Sequence, residues 1–318
     1  MVYGLNGGAL MQNYPAYLIF AGCGFAAGIV LFYLLLRRSA NPEKAAGVSF
    51  CSLVFGVIFG FLGAKIVYVL FRITSIPIAS VPEKMLVMNP EEFSYYGGVA
   101  GVCFGVWASA RLNGLKPLET LNVFAPAGAF IAAMMRFAEG FLGMLGVGTE
   151  LEESFFPLAL GISWDGEWVE YYLAVFMLEG VFSLIAMGLS LRHAGEKYRF
   201  WRTLFYLCLP QVLCESLRIT AISWLFVKAE QLTCFLLCEG VLVWYAFRTD
   251  RKKFRSWIPA LTGLIVCGLT ITEEFALDGK ILIGDSFIPE WILYALMAAG
   301  LAAMAWAEHR GYREAVRQ

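Results

Sequence analysis

An all-α, polytopic transmembrane bundle is the fold class this sequence predicts, and three observations carry it. Of 318 residues, 59% are hydrophobic and only 15% are charged. Mean hydropathy is +0.68. Apolar runs of about 20 residues recur along the chain, the length a helix needs to cross a hydrocarbon core of ~30 Å. Lipid offers the backbone no hydrogen-bond partner, so such runs close their own bonds as helices.

In order, the runs predict about nine helices, at residues 17–36, 48–70, 96–110, 121–138, 171–191, 203–216, 226–247, 258–275 and 288–307. The third and sixth are the shortest. Orientation follows from lysine and arginine, which concentrate in cytoplasmic loops. Arg37, Arg38 and Lys44 follow the first helix, Arg111 and Lys116 the third, and Arg192, Lys197, Arg199 and Arg202 the fifth. Arg248, Arg251, Lys252, Lys253 and Arg255 follow the seventh, and Arg310, Arg313 and Arg317 the ninth. All fall on one side. The opposite loops hold little beyond Lys84 and Lys280, and residues 140–170 carry no positive charge. The N-terminus is therefore expected outside and the C-terminus in the cytoplasm. Residues 1–15 lack lysine and arginine, so the first helix does not read as a cleaved signal peptide.

The basic loop 248–255, with Pro259 just beyond, is the clearest seam. It divides a seven-helix part, residues 1–247, from residues 248–318 with two further helices. Three outer loops have bulk, at 73–94, 140–170 and 279–287. The middle one is rich in glycine, acid and aromatics and reads as a partly ordered cap, with Trp164 and Trp168 suited to the interfacial belt.

Net charge is −1, which gives no reason to expect nucleic acid as a partner. The eight cysteines lie in apolar segments without a C-x-x-C pair and read as packing residues. The two histidines, His193 and His309, fall on the cytoplasmic side, so neither a metal centre nor a cofactor is expected at the outer face.

What remains is a set of polar residues on the outer half of the bundle. Arg136 ends the apolar run 123–135, with Glu139 three residues on. A guanidinium at such depth costs roughly 2.5–3.5 kcal/mol, so it faces a bundle interior or a wet cavity with an anionic partner. It cannot shed its proton, and its planar fork suits carboxylate or phosphate. Glu179 lies in the fifth helix, Glu215 and Arg218 end the sixth, and Lys228, Glu230 and Gln231 start the seventh. Lys65 and Arg72 flank Tyr68, and Tyr95, Tyr96, Gly97 and Gly98 open the third helix. Each has a structural reading. Arg136–Glu139 and Glu215–Arg218 have the i, i+3 spacing of intrahelical pairs. Lys65 can snorkel, Tyr95 and Tyr96 can be interface aromatics, and the glycines can let two backbones approach. Glu179 needs a partner, and a salt bridge accounts for it as well as catalysis does. Glu273 and Glu274 read as headgroup-level residues. Together the cations and carboxylates point further, to a cavity that holds an anionic headgroup.

From about residue 61 to 243 the chain resembles the bacterial prolipoprotein diacylglyceryl transferases. Gly63-Ala64-Lys65-Ile66-Val67-Tyr68-Val69-Leu70-Phe71 looks like the family's G-[GA]-R-L-x-Y-V-L-F. Ser94-Tyr95-Tyr96-Gly97-Gly98-Val99-Ala100-Gly101 looks like its S-F-H-G-G-L-x-G. Ala125-Pro126 with Arg136 ten residues after the proline matches A-P-x9-R, and Glu179 fits the end of Q-L-Y-E. Glu215 and Arg218 fit the last two positions of R-x-x-x-E-x-x-R, and Gln231-Leu232 fits M-G-Q-L. Departures fall at positions that matter: the signature histidine is Tyr96, the asparagine three after the arginine is Glu139, the glutamate eight after it is Met144, and the first arginine of the late motif is Gln211.

The resemblance implies transfer of a diacylglyceryl group from phosphatidylglycerol to the lipobox cysteine thiol of a prolipoprotein, at the outer face of the bacterial inner membrane. The reaction needs cations for the phosphate and a base for the thiol. It assigns Arg136 and Arg218, helped by Lys65, Gly97 and Gly98, to the phosphate. The proton falls to Glu139 or Glu215, since tyrosine, with a reference pKa near ~10, is a poor base. Tyr96 shapes the pocket, and Glu179 and Gln231 are polar partners. The alternative is a relative that keeps the lipid pocket without the chemistry and acts in lipid binding or transport.

Overall fold

The computed structural model describes residues 2–3, 13–39, 41–73, 76–87, 92–155, 157–163, 168–193, 195–219, 223–224, 227–249, 253–277 and 289–317. Trp164 and the outer loop 279–287 lie outside the described residues. The helices are α1 (Tyr14–Arg37), α2 (Ala45–Arg72), a short α3 (Val81–Leu86), α4 (Tyr95–Leu112), α5 (Pro117–Ala138), α6 (Val175–Arg192), α7 (Arg199–Leu217), α8 (Ala229–Arg248), α9 (Phe254–Leu277) and α10 (Glu290–Val316). Each predicted span falls on one of the long helices. Among the described residues, seven helices are long and apolar enough to cross a membrane. The other two long helices, α4 and α7, are the shortest predicted spans.

Local signals fix the helix ends. Asn13 caps α1 by accepting from Ala16 N (3.0 Å), and Ser94 caps α4 by accepting from Gly97 N (3.2 Å). Proline opens α5 at its first position, where the missing N–H has no helical partner to lose. The fifth span begins four residues later than predicted, because Val169–Leu173 is a strand.

That strand belongs to a small sheet that the all-helical reading did not include. Strands β1 (Val2–Tyr3), β2 (Glu150–Leu151), β3 (Ala159–Ser163) and β4 (Val169–Leu173) lie in the order β1-β3-β4-β2. The cap 140–170 is thus built around β2–β4, with Val147, Leu160, Ile162 and Tyr172 as its core.

The chain forms two compact units, residues 1–203 with 217–224, and residues 204–216 with 225–318. In the first unit α5 packs against α1, α4 and α6. Its buried alanines, among them Ala125, Ala129, Ala132 and Ala133, let those neighbours come close. The α2–α4 pair is closer still. A Cβ on Gly105 would stand 2.8 Å from Gly56 N, and one on Gly97 would stand 2.8 Å from Val67 Cβ. Outward faces stay apolar, with Phe50 and Val57 of α2 67% and 57% exposed, as suits lipid. In the second unit α8, α9 and α10 pack on one another.

A buried arginine–carboxylate quartet as candidate site

Arg136 occupies the last turn of α5, where a cation also complements the helix dipole. The chain then turns through 3-10 geometry, residues Glu139–Gly146, with Gly143 at φ 65° in the left-handed region that favours glycine. This brings Val147–Thr149 alongside two distant segments. Thr149 N donates to Leu217 O (3.0 Å), Gly148 N to Leu173 O (2.7 Å), Leu173 N to Thr149 O (2.9 Å) and Ile219 N to Val147 O (3.4 Å). Arg218, bridged to Gly148, is thereby carried to the end of α5 from 82 residues further along the chain.

There four charges meet. Arg136 Nη1 donates to Glu139 Oε1 (2.6 Å), and its Nε stands 3.3 Å from Glu179 Oε2. Arg218 donates from Nη1 and Nη2 to Glu139 Oε2 (3.1 Å each), from Nη1 to Leu145 O (2.8 Å), and from Nη2 to Glu179 Oε2. The Arg136 guanidinium lies 3.5 Å from the centroid of the Tyr95 ring, a cation–π contact, and Tyr95 OH donates to Ala132 O (3.2 Å). Tyr17 of α1 lies within electrostatic reach of Arg136 and Glu139. Side-chain exposure falls from 14% at Glu139 to 8% at Arg218, 3% at Arg136 and 0% at Glu179. Glu139 is therefore the member that reaches outward. Among the described residues, Arg136 Nη2 is buried without a hydrogen-bond acceptor.

The other expected residues have different places. Tyr96 is buried at the start of α4 with its ring edge-on to Tyr95 (5.2 Å). Gly97 and Gly98 face α2, so of their two readings the backbone approach is the one realised there. Lys65 does not snorkel. It is fully buried, with Nζ 3.7 Å from Glu92 Oε2 and 4.2 Å from the Phe93 ring centroid. Glu92 also binds Lys84 (2.5 Å), and that hydrogen bond pushes the Lys84 ammonium above its ordinary pKa.

Glu215 and Gln231 belong to the second unit. Gln211 Nε2 donates to Glu215 Oε1 (3.2 Å), and Lys228 Nζ caps the end of α7 by donating to Glu215 O (2.8 Å) and Ser216 O (3.0 Å). Gln231 Nε2 donates to Val212 O (3.1 Å), Ser216 Oγ (2.9 Å) and Glu274 Oε1 (2.9 Å). Glu274, expected at headgroup level, ties α9 to α7 and α8 through Ser216, Gln231 and Lys228. Sequence reading missed Glu92, whose only signal was its place two residues before the Ser94 cap. It also missed that Tyr95 covers Arg136, a contact set by packing between α4 and α5.

Helices long and apolar enough to cross a membrane, with paired arginines and carboxylates buried at their ends, define a multi-pass membrane protein with an internal polar site. The family model described as prolipoprotein diacylglyceryl transferase matches residues 15–306, and the chain belongs to that family. Two curated relatives, named phosphatidylglycerol–prolipoprotein diacylglyceryl transferase, come from Nitratidesulfovibrio vulgaris strains DP4 and Hildenborough. Each is 31% identical to this chain over 122 residues, which is 37% of the chain and 45% of the relative. The match thus spans less than half the length of either relative.

Proposed function

We propose that this protein transfers a diacylglyceryl group from phosphatidylglycerol, or a similar anionic phospholipid, to the lipobox cysteine thiol of a prolipoprotein signal peptide. The setting is the outer face of a bacterial cytoplasmic membrane, with nine spans, the N-terminus outside and the C-terminus in the cytoplasm. Residues 1–247 carry the reaction, and residues 248–318 add a basic loop and two helices. The observation that carries this reading is the convergence of Arg136 and Arg218 on Glu139, the one member of the quartet that reaches outward.

The chemistry follows from that arrangement. A phosphodiester arriving beside Glu139 takes up guanidinium donors, among them Arg136 Nη2. The cysteine sulfur attacks the carbon of the diacylglyceryl group that bears the phosphoester oxygen. A carbon–sulfur bond forms as that carbon–oxygen bond breaks, the thiol proton passes to the Glu139 carboxylate, and glycerol phosphate leaves with the bond's electrons. The guanidiniums offset the growing charge on the leaving phosphate, where one fixed donor is worth about 10²–10³ in rate. Glu179 keeps the two arginines together from below, and Tyr96 fills space beside Tyr95. Glu215 is the other base candidate.

The quartet also favours a second reading. Two cations already balanced by two anions hold a bundle together without chemistry, which suits a lipid-binding or transport relative. Full-length protein, phosphatidylglycerol with a labelled diacylglyceryl group and a lipobox peptide separate the two. Label is expected on the peptide, falling about 10²–10⁴-fold in Glu139→Gln, the range of a lost general base, and little in Glu215→Gln. Retained lipid without transfer in the unaltered protein would support the second reading.

A further inference from the structure

In the second unit, α9 and α10 border a pocket of about 370 Å³. Four guanidiniums line it, those of Arg255, Arg310, Arg313 and Arg317, against the single carboxylate of Glu314. That carboxylate is shared, 3.3 Å from Arg310 Nε and 3.8 Å from Arg255 Nε. Four positive charges less one negative leaves an excess of three around one concavity. Basic residues at a helix C-terminus offset its dipole and obey the cytoplasmic bias without forming a site. Neither effect needs them to converge. Here Trp306, Arg310 and Arg313 recur at helical spacing along one face of α10, Arg317 follows as its C-cap, and Arg255 is supplied by another helix. Arg255 is the second residue of α9, so the pocket also borders that helix's amino end, which favours anions.

The depth of the pocket narrows its occupant. Helix α10 has 27 residues, about 40 Å at 1.5 Å per residue, against a hydrocarbon core of ~30 Å. Its surplus of roughly two turns lies in the headgroup layer. Trp291 and Trp306, 71% and 59% exposed, flank the apolar residues 292–305. Arg310, Arg313 and Arg317 follow Trp306 by four, seven and eleven residues, within that surplus.

We infer that this pocket binds a phosphate-bearing anion, and that the occupant is the headgroup of an anionic phospholipid in the adjoining leaflet. Which leaflet that is rests on the orientation proposed above. The transfer chemistry is not involved, so either idea can fail alone.

The test uses full-length protein in phosphatidylcholine nanodiscs doped with a photoactivatable phosphatidic acid, with labelled peptides mapped by mass spectrometry. Label is expected on residues 306–317 and is expected to drop at least ~tenfold in Arg310→Gln/Arg313→Gln/Arg317→Gln, since each basic residue near a charged surface adds about a fivefold preference. Label on other peptides, unchanged, verifies that the variant is folded, and Arg313→Lys/Arg317→Lys should keep most of the signal. If excess inorganic phosphate displaces the lipid, a free phosphate compound is the occupant and the site stands. Absent labelling of residues 306–317, or labelling that the glutamine variant does not reduce, overturns it.

Discussion

Glu179 holds both arginines on a carboxylate that is wholly out of solvent. Glu179→Gln keeps the shape and removes one negative charge, leaving two guanidiniums to share Glu139. Removing one partner from a buried ion set costs about 3–5 kcal/mol. The variant should therefore melt well below the unaltered protein in detergent, followed by tryptophan fluorescence. An unchanged midpoint would mean that water already screens the set. At this scale, what the sequence revealed depended on chain distance. Arg136–Glu139 is an i, i+3 pair and could be read directly. The bonds from Arg218 to Glu139 and Glu179 join residues 79 and 39 apart, which the bridged segment Val147–Thr149 helps bring together. Lys65 was legible as an unusual cation, but its partner Glu92 was not, because nothing in a span predicts which loop folds back over it.

Among the elements, the α2–α4 pair depends on missing side chains. A Cβ on Gly105 would meet backbone of Phe55 and Gly56 at 2.8 Å, and backbone cannot yield as a flexible side chain can. Gly105→Val should cost at least the 1–3 kcal/mol typical of overpacking. Gly240→Ala on α8, where nothing lies within 4 Å, is the matched control and should leave the thermal midpoint unchanged or slightly raised. Comparable losses in both would refute the close-packing account. The long helices were legible because hydropathy over some twenty residues is a local property. Strands β2 and β4 were not. Glu150–Leu151 has two residues, and Val169–Leu173 runs without a break into the apolar start of α6, so its period-2 signal merges with a helix.

For the molecule as a whole, the distribution of arginine and lysine predicts which end of each helix faces the cytoplasm. A cysteine placed at Ser154, in the exposed stretch after β2, should react with a membrane-impermeant thiol reagent on intact spheroplasts. One placed at Arg192, at the end of α6, should react only after the membrane is opened. The reverse pattern would invert the topology and move the quartet to the inner face. Family membership rests on a match from residue 15 to 306, which runs past the basic loop into α10. Sequence motifs were readable only from about residue 61 to 243, because the flanking helices are defined by hydropathy and carry few fixed polar positions.

The short segment after α5 has a mechanical consequence. Val147–Thr149 exchanges hydrogen bonds with Leu173 on one side and with Leu217 and Ile219 on the other, so three remote stretches are laced by four amides. Such amides cannot open one by one; deuterium should enter at Gly148, Thr149, Leu173 and Ile219 with a single shared protection factor. Whatever clasps or pries these laced stretches then sets the residence time of Arg218 among its carboxylates, so a bond between backbone segments governs a buried charge.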